Sequence, residues 1–284
     1  MNPISDYKIR AMKRHEVDMA VEWAATEGWN PGLEDAECFY RADPEGFLVG
    51  LLGDEPVSTI SVVRYGDDFG FLGFYIVRPE YRGLGLGIRI WNAGLARLEG
   101  RSVGLDGVVA QQNSYRKSGF TLAYRNIRYM GFGGGENRQH PGISHLGLFP
   151  FEEVLTYDQP FFPADRKSFL ECWINRCGGA ALGIQENGVL AGYGVIRPCR
   201  SGYKIGPLFA DRPDLAESLF CALKCSIPEG SPLFLDIPEI NPGAQALVQR
   251  HNMTVAFETA RMYKGKTPTM PLDRIFGVTT FELG

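Results

Sequence analysis

The sequence predicts an α/β fold with a mixed sheet, built twice over in one chain. Three observations carry that expectation. Short apolar segments at 47–52, 57–65 and 69–77 are separated by the turn formers Gly53-Asp54-Glu55-Pro56 and Gly66-Asp67-Asp68, as in antiparallel strands. Downstream, helical and strand-like segments alternate, which calls for parallel pairing and helices packed on the sheet faces. The cluster Gly131-Phe132-Gly133-Gly134-Gly135, followed by Pro141-Gly142, is a natural connector because glycine costs the most backbone entropy to order. The connector reads as a break between domains at 1–133 and 144–284 joined by 134–143, in preference to one long loop.

The elements follow in order. Residues 7–12 form a strand in which Ile9 alternates with charged neighbours. Residues 15–25 place Val17, Ala20, Val21 and Ala24 at helical spacing. After the turn Gly28-Trp29-Asn30-Pro31-Gly32, a second helix covers 34–40. Three strands come next, and Pro79 stops the last. A helix over 85–99 puts Ile88, Trp91, Leu95 and Leu98 on one face; a strand at 103–110, a short helix at 114–118 and a strand at 121–130 complete the half.

The second half repeats this order with little residue identity. Helices are expected at 166–177 (Asp165 as N-cap), 215–224 and 242–251, and strands at 180–186, 189–197, 203–209, 233–237 and 255–263.

Composition narrows the function classes. Lys+Arg 29 against Asp+Glu 33 gives a net charge of -4, without the basic footprint of a nucleic-acid binder. No apolar run nears the roughly 20 residues that span a bilayer. The segment MNPISDYKIRAMKRHEVDM lacks the apolar core of a secretory signal. The 6 cysteines have no framework spacing and read as thiols in a reducing compartment. A soluble, cytoplasmic protein is expected, with no nucleic-acid or membrane partner; its oligomeric state is not legible.

The most informative segment is Tyr75-Ile76-Val77-Arg78-Pro79-Glu80-Tyr81-Arg82-Gly83-Leu84-Gly85-Leu86-Gly87-Ile88, a strand entering a glycine-rich loop that opens a helix. Glycines at alternate positions let backbone N–H groups turn toward one point, and the helix N-terminus adds partial positive charge, so the loop suits a pyrophosphate. Neither dinucleotide nor P-loop spacing fits: Ile88 stands where G-x-G-x-x-G needs glycine, and no G-K-[ST] follows.

At these residues the sequence resembles the GNAT superfamily of acetyl-CoA-dependent N-acetyltransferases, whose Arg/Gln-x-x-Gly-x-Gly/Ala core falls on Arg82, Gly85 and Gly87. Tyr115-Arg116-Lys117-Ser118-Gly119-Phe120 resembles the family's later Tyr-x-Lys-x-Gly-Phe signature, although Gln111-Gln112-Asn113 replaces the usual preceding residues. The resemblance covers 7–130. It implies a GNAT-type fold, with acetyl-CoA as co-substrate: Ile76 and Val77 along the pantetheine arm; Arg82, Gly83, Leu84, Gly85, Leu86, Gly87 and Ile88 around the pyrophosphate; and Asn113 in the later coenzyme turn. It also implies that Tyr115 protonates the leaving thiolate. The catalytic reading of Tyr115 competes with a tyrosine that only packs on the sheet.

The family's glutamate base on the strand before the loop is missing from Phe71-Leu72-Gly73-Phe74-Tyr75-Ile76-Val77. Glu27, with Trp29 and Asn30, stands where the family lines its acceptor pocket, so Glu27 is expected to bind or deprotonate the amine; the competing reading is a plain turn. Asp106 is a second candidate base and Asp35 a third pocket carboxylate, but the favoured readings are a turn aspartate before Gly107 for Asp106 and a helix-start residue for Asp35. No metal is expected. Cys221 and Cys225 lie four apart on a helix with only His251 as a further ligand, and Cys172 and Cys177 lack zinc-type spacing. In the second half, Ile205-Gly206-Pro207-Leu208-Phe209-Ala210-Asp211 stands where the strand-to-helix turn would fall, without the glycines, so no coenzyme is expected there. The resemblance is to acetyltransferases with a second GNAT-like domain.

The sequence thus predicts an N-acetyltransferase moving acetyl from acetyl-CoA to a primary amine of a small or amino-acid-like acceptor by direct attack. The alternatives are a non-catalytic acyl-CoA sensor and an acyltransferase using a longer acyl-CoA.

Overall fold

A computed structural model describes residues 6–135, 140–176 and 178–284. The first half runs β1 (Tyr7–Ala11), α1 (Arg14–Thr26), α2 (Asp35–Ala42), β2 (Phe47–Leu52), β3 (Glu55–Tyr65), β4 (Phe69–Val77), α3 (Leu86–Arg97), β5 (Ser102–Val108), α4 (Gln112–Lys117) and β6 (Thr121–Phe132). The second runs β7 (Ile143–His145), α5 (Phe151–Asp158), α6 (Lys167–Ile174), β8 (Ala180–Glu186), β9 (Val189–Pro198), β10 (Tyr203–Ala210), α7 (Pro213–Cys225), β11 (Pro232–Pro238), α8 (Pro242–Arg250), β12 (Thr254–Lys264) and β13 (Ile275–Gly277). Part of the expected connector, residues 136–139, lies outside the described residues, as does Cys177.

Through β12 the two halves repeat one order of elements. The expected α6 ends at Ile174, short of 177, and Asp165 accepts from the Lys167 N–H at 2.8 Å while Arg166 holds the N-cap position. Helix α5 is not among the expected elements, and strand β7 carries too few residues to announce itself by periodicity, yet β7 pairs with β8 as β1 pairs with β2.

All strands join one sheet in the order β1-β2-β3-β4-β5-β12-β6-β11-β10-β9-β8-β7, with β13 added beside β10. Neighbours are antiparallel except β4–β5 and β10–β11. At the centre the halves exchange strands: β12 lies between β5 and β6, and β6 between β12 and β11.

One apolar core crosses the halves. Phe39 of α2 stacks on Trp173 of α6 at 6.0 Å, and Phe74 of β4 meets Phe39 edge-on at 5.7 Å. The same helix pair carries a disulfide, Cys38–Cys172, which corrects the expectation that every cysteine is a thiol. Residues 134 apart have no spacing rule to betray their pairing. Cys199, Cys221 and Cys225 remain reduced.

Buried charges reinforce this junction. Asp35, fully buried, accepts from Arg176 at 2.7 Å, Arg197 at 3.1 Å and the Gly32 N–H at 2.8 Å. The Arg176 and Arg197 guanidiniums lie 3.7 and 4.6 Å from the Trp173 ring centre. Asp35 does sit at a helix start, but it serves chiefly as the counter-ion of two arginines from the other half. Arg128 on β6 grips Asp236 on β11 with two bonds of 2.7 Å.

Among the described residues, no helix is long and apolar enough to cross a membrane.

Candidate active site

The site begins where the β4–β5 ladder stops. The strands pair from Phe69↔Ser102 to Leu72↔Leu105 and then part. On its other side β4 slips register against β3 between Thr59 and Ser61, and Thr59 Oγ1 bonds the Phe74 carbonyl at 2.8 Å. Phe74 at the slip has φ 46, a left-handed conformation that a bulky side chain holds only under tight packing. Gly73 next to it has no room for a side chain, because a Cβ would stand 2.2 Å from the Glu282 carbonyl oxygen. A cavity of about 570 Å³ opens in the gap between β4 and β5.

At one end lies the glycine loop. Gly83 and Gly85 have φ of 79 and 78 with nothing within 4 Å of an added Cβ, so their backbone stands open to solvent. Gly85 caps α3, whose first turn carries no acidic residue. The arrangement is an anion cradle on a helix N-terminus. Gly87 is glycine for a different reason: a Cβ there would press on the Tyr75 hydroxyl at 2.7 Å. Arg82 ties the loop down, donating to the Val77 carbonyl at 2.8 Å and to Glu27 at 2.5 Å.

Tyr115 of α4 reaches the same cavity, with its ring stacked on Trp91 at 5.6 Å. Gly107 on β5 makes room for it, since a Cβ there would lie 2.1 Å from the ring. Burial pushes the Tyr115 phenol up to about 12 and also raises Tyr75. Far walls come from both halves: Trp29, Phe74 and Tyr75 face Phe257, Thr259 and Phe281.

Of the residues singled out in the sequence, Ile76, Val77, Arg82, Gly83, Gly85, Gly87, Ile88, Tyr115, Glu27 and Trp29 line this one cavity. Leu84 is exposed and Leu86 buried beneath the loop; neither lines it. Asn113 accepts from Arg116 at 3.0 Å on the outer face of α4. Asn30 does not line the cavity either: its amide exchanges hydrogen bonds with the backbone of Ser201 at 3.0 and 2.9 Å, bridging the halves. Glu27 reaches the cavity as the ion-pair partner of Arg82. Asp106 is no turn residue. It lies in β5, held by Arg261 at 3.0 and 2.5 Å and by Asn126 at 2.8 Å.

The sequence reading missed Glu282, which lines the cavity and is 4 % exposed. It arrives on the segment that follows β13, far along the chain from the glycine loop, and no local motif marks it.

The corresponding gap in the second half is filled. The β10–β11 ladder stops at Ile205↔Leu235, and beyond it β13 pairs with β10 through Leu208↔Gly277. The segment around Gly206 is strand, not the expected strand-to-helix turn, which falls after Ala210; Trp173 donates its indole N–H to the Gly206 carbonyl at 2.9 Å.

The Cys221 thiol lies 4.0 Å from His251 Nε2, and Glu217 Oε1 is 2.7 Å from that nitrogen, beside a second cavity of about 440 Å³. Glu217 is already neutralised by Arg250, and Lys224 also lines the cavity, so the local charge opposes a cation.

Comparison with known proteins agrees with this geometry. Residues 14–120 match the acetyltransferase (GNAT) family model, and residues 154–277 match a further acetyltransferase (GNAT) domain model. A holothin acyltransferase of Pseudoalteromonas sp. (strain SANK 73390) is 32% identical over 263 residues, covering 93% of this chain and 90% of that protein. The uncharacterized N-acetyltransferase YitH of Bacillus subtilis (strain 168) is 26% identical over 64% of each chain. A putative acetyltransferase from Pyrococcus horikoshii superposes with TM-score 0.84 at 24% identity, over 98% of this chain and 96% of that one. A tandem GNAT protein from the clavulanic acid biosynthesis pathway superposes with TM-score 0.63 at 14% identity, over 93% and 99%. With two GNAT units in one sheet and a relative aligned along nearly its whole length, the chain belongs to the GNAT acyltransferase family.

Proposed function

We propose that this protein is an N-acetyltransferase that moves an acetyl group from acetyl-CoA to a primary amine of a small acceptor by direct attack. The observation that carries the reading is the continuity of one cavity from the Gly83–Gly85 cradle, through the opened β4–β5 gap, to Tyr115. The cradle holds the pyrophosphate by backbone N–H groups, and the unpaired edge of β4 beyond Leu72 takes the pantetheine arm and polarises the acyl carbonyl. Tyr115 donates a proton to the departing sulfur. Glu27 holds Arg82 over the loop and offers a carboxylate at the cavity mouth for the incoming ammonium.

The far walls are aromatic, which suits an amine carried on an apolar body. The name of the holothin acyltransferase relative fits a small-molecule acceptor here as well. In this reading residues 1–133 hold the coenzyme, 134–143 connect, and 144–284 complete the acceptor side through Phe257, Thr259, Phe281 and Glu282. The filled gap beside β10 supports a single coenzyme per chain. In this reading no metal, nucleic-acid or membrane partner takes part. A longer acyl donor is the second reading, favoured by the cavity's volume of about 570 Å³.

The test is a thiol-release assay with acetyl-CoA and longer acyl-CoAs against amino acids, polyamines, aryl amines and peptides. Turnover on one amine class establishes the enzyme and its acceptor. Coenzyme binding without turnover on any amine assigns the protein as a sensor instead.

A further inference from the structure

Among the described residues the buried carboxylates fall into two groups. Asp35, Asp106, Asp158 and Asp236 each accept hydrogen bonds from an arginine. Glu282 differs: its carboxylate has no hydrogen-bond or ion-pair partner among those residues, although it is 4 % exposed and lines the cavity. Leaving a buried carboxylate without a direct partner costs stability, so its persistence asks for a use.

The tail that carries it is firmly held. Val278 N–H bonds the Asp236 carbonyl at 2.8 Å, Thr279 Oγ1 accepts from Arg166 at 3.0 Å, and Arg128 lies 4.9 Å over the Phe281 ring. The Leu283 carbonyl accepts from the Tyr65 hydroxyl at 3.2 Å, and the Glu282 carbonyl is packed against Gly73 at the slip in β4. Residues 275–277 fill the gap of the second half, and the residues that follow deliver Glu282 to the gap of the first.

We infer that Glu282 is the proton acceptor for the acceptor amine, so that the second half supplies the base the first half lacks. The inference rests on the acetyltransferase reading. The substrate ammonium gives one proton to the Glu282 carboxylate, which passes it to solvent. The freed lone pair forms the N–C bond at the acyl carbonyl, and the C–S bond breaks. The second proton leaving nitrogen replaces the one Tyr115 gives to sulfur, so each turnover yields amide, free thiol and one proton in solution.

The charges facing Glu282 come from several elements: Lys204 on β10, Arg128 on β6, Arg197 on β9 and Asp35 on α2. Burial raises its carboxyl above the ordinary range, against the pull of Lys204 and Arg128. Tyr115, Tyr75 and Asp106 line the same cavity. A carboxylate so placed is a better base at neutral pH than an exposed one.

Full-length wild type, E282Q and E282D are compared by thiol release across about pH 5.5–9 and by calorimetric binding of acetyl-CoA. The expected result is a kcat about 10²–10⁴-fold lower in E282Q, loss of the acid limb of kcat/KM, and coenzyme affinity within about twofold of wild type. E282D should recover part of the rate with its own acid limb. Because burial disfavours the charged form, E282Q should melt no lower than wild type near neutral pH, where a carboxylate with only a structural role would lower the Tm. Turnover by E282Q within about threefold of wild type, with the acid limb intact, overturns the inference. If E282Q does not fold, E282D decides: an acid limb unmoved from wild type overturns it and a displaced limb supports it. A wild type that binds acetyl-CoA yet releases thiol with no amine sinks the parent reading first, and this one with it.

Discussion

Removing a single oxygen at Tyr115 separates its acid role from its packing role. The ring is fixed by Trp91 and by the close approach of Gly107, and phenylalanine keeps both contacts. The hydroxyl has no hydrogen-bond partner among the described residues, so Tyr115→Phe should change stability by less than about 0.5 kcal/mol. With the phenol pushed up to about 12 and a free thiol near 8.5, complete transfer to sulfur is strongly uphill. The hydroxyl must therefore act by a hydrogen bond that tightens as the thiolate forms and by taking up the amine's second proton. That places its contribution at the low end of general acid catalysis, about 10²-fold in kcat, or about 2.7 kcal/mol. Steady-state thiol release over about pH 6–9 measures this, with calorimetric acetyl-CoA affinity as the control. The phenol stays protonated throughout that range, so the loss should be uniform with pH. Full kcat in Tyr115→Phe at every pH would refute the acid role.

Three further outcomes follow from the geometry. Gly85→Ala forces alanine into a left-handed conformation at the α3 N-terminus, costing about 1–2 kcal/mol, and should raise the acetyl-CoA Kd roughly 5–30-fold by calorimetry. Asp35→Asn leaves Arg176 and Arg197 buried without their anion and should cost about 3–5 kcal/mol, lowering the Tm by roughly 6–20 °C. The Asp35 carboxyl is held well below its ordinary value, chiefly by Arg197 and Arg176 against the cost of burial. The stability it gives is thus complete above about pH 4 and lost as pH falls further, so the difference between variant and wild type should narrow in acid. Cys38→Ser opens a loop closed over a separation of 134 residues and should lower stability by about 2–5 kcal/mol; a reductant should bring wild type to the same melting curve.

The parts legible in the sequence are those dictated by neighbours along the chain. Strands β2, β3 and β4 are bounded by Gly-Asp and Pro signals that act locally, and the Gly83–Gly85 cradle is legible because only glycine takes those dihedrals freely. Helix α1 shows its buried face as Val17, Ala20, Val21 and Ala24. What stayed hidden depends on distant partners. The three residues of β7 and of β13 become strands only against β8 and β10. Asp106 reads as a turn until Arg261 of β12 is brought beside it. The Cys38–Cys172 pairing and the arrival of Glu282 each need the halves docked. Gly206 resembles a turn locally but lies at a register shift within β10, between the Ile205 and Leu208 pairings with β9.

The exchange of β6 and β12 has a consequence for how the chain must be made. While the ribosome is still producing the second half, the first half waits with β5 as an open edge, since its neighbour β12 is made only after α8. An open sheet edge accepts any strand of similar pattern, and β12 of a second molecule has the same pattern as the chain's own. At high synthesis rates the intramolecular exchange therefore competes with an intermolecular one, which would yield a reciprocal dimer with two complete cavities, each built from two polypeptides. The arrangement that unites the halves in one molecule is thus also a ready template for joining two.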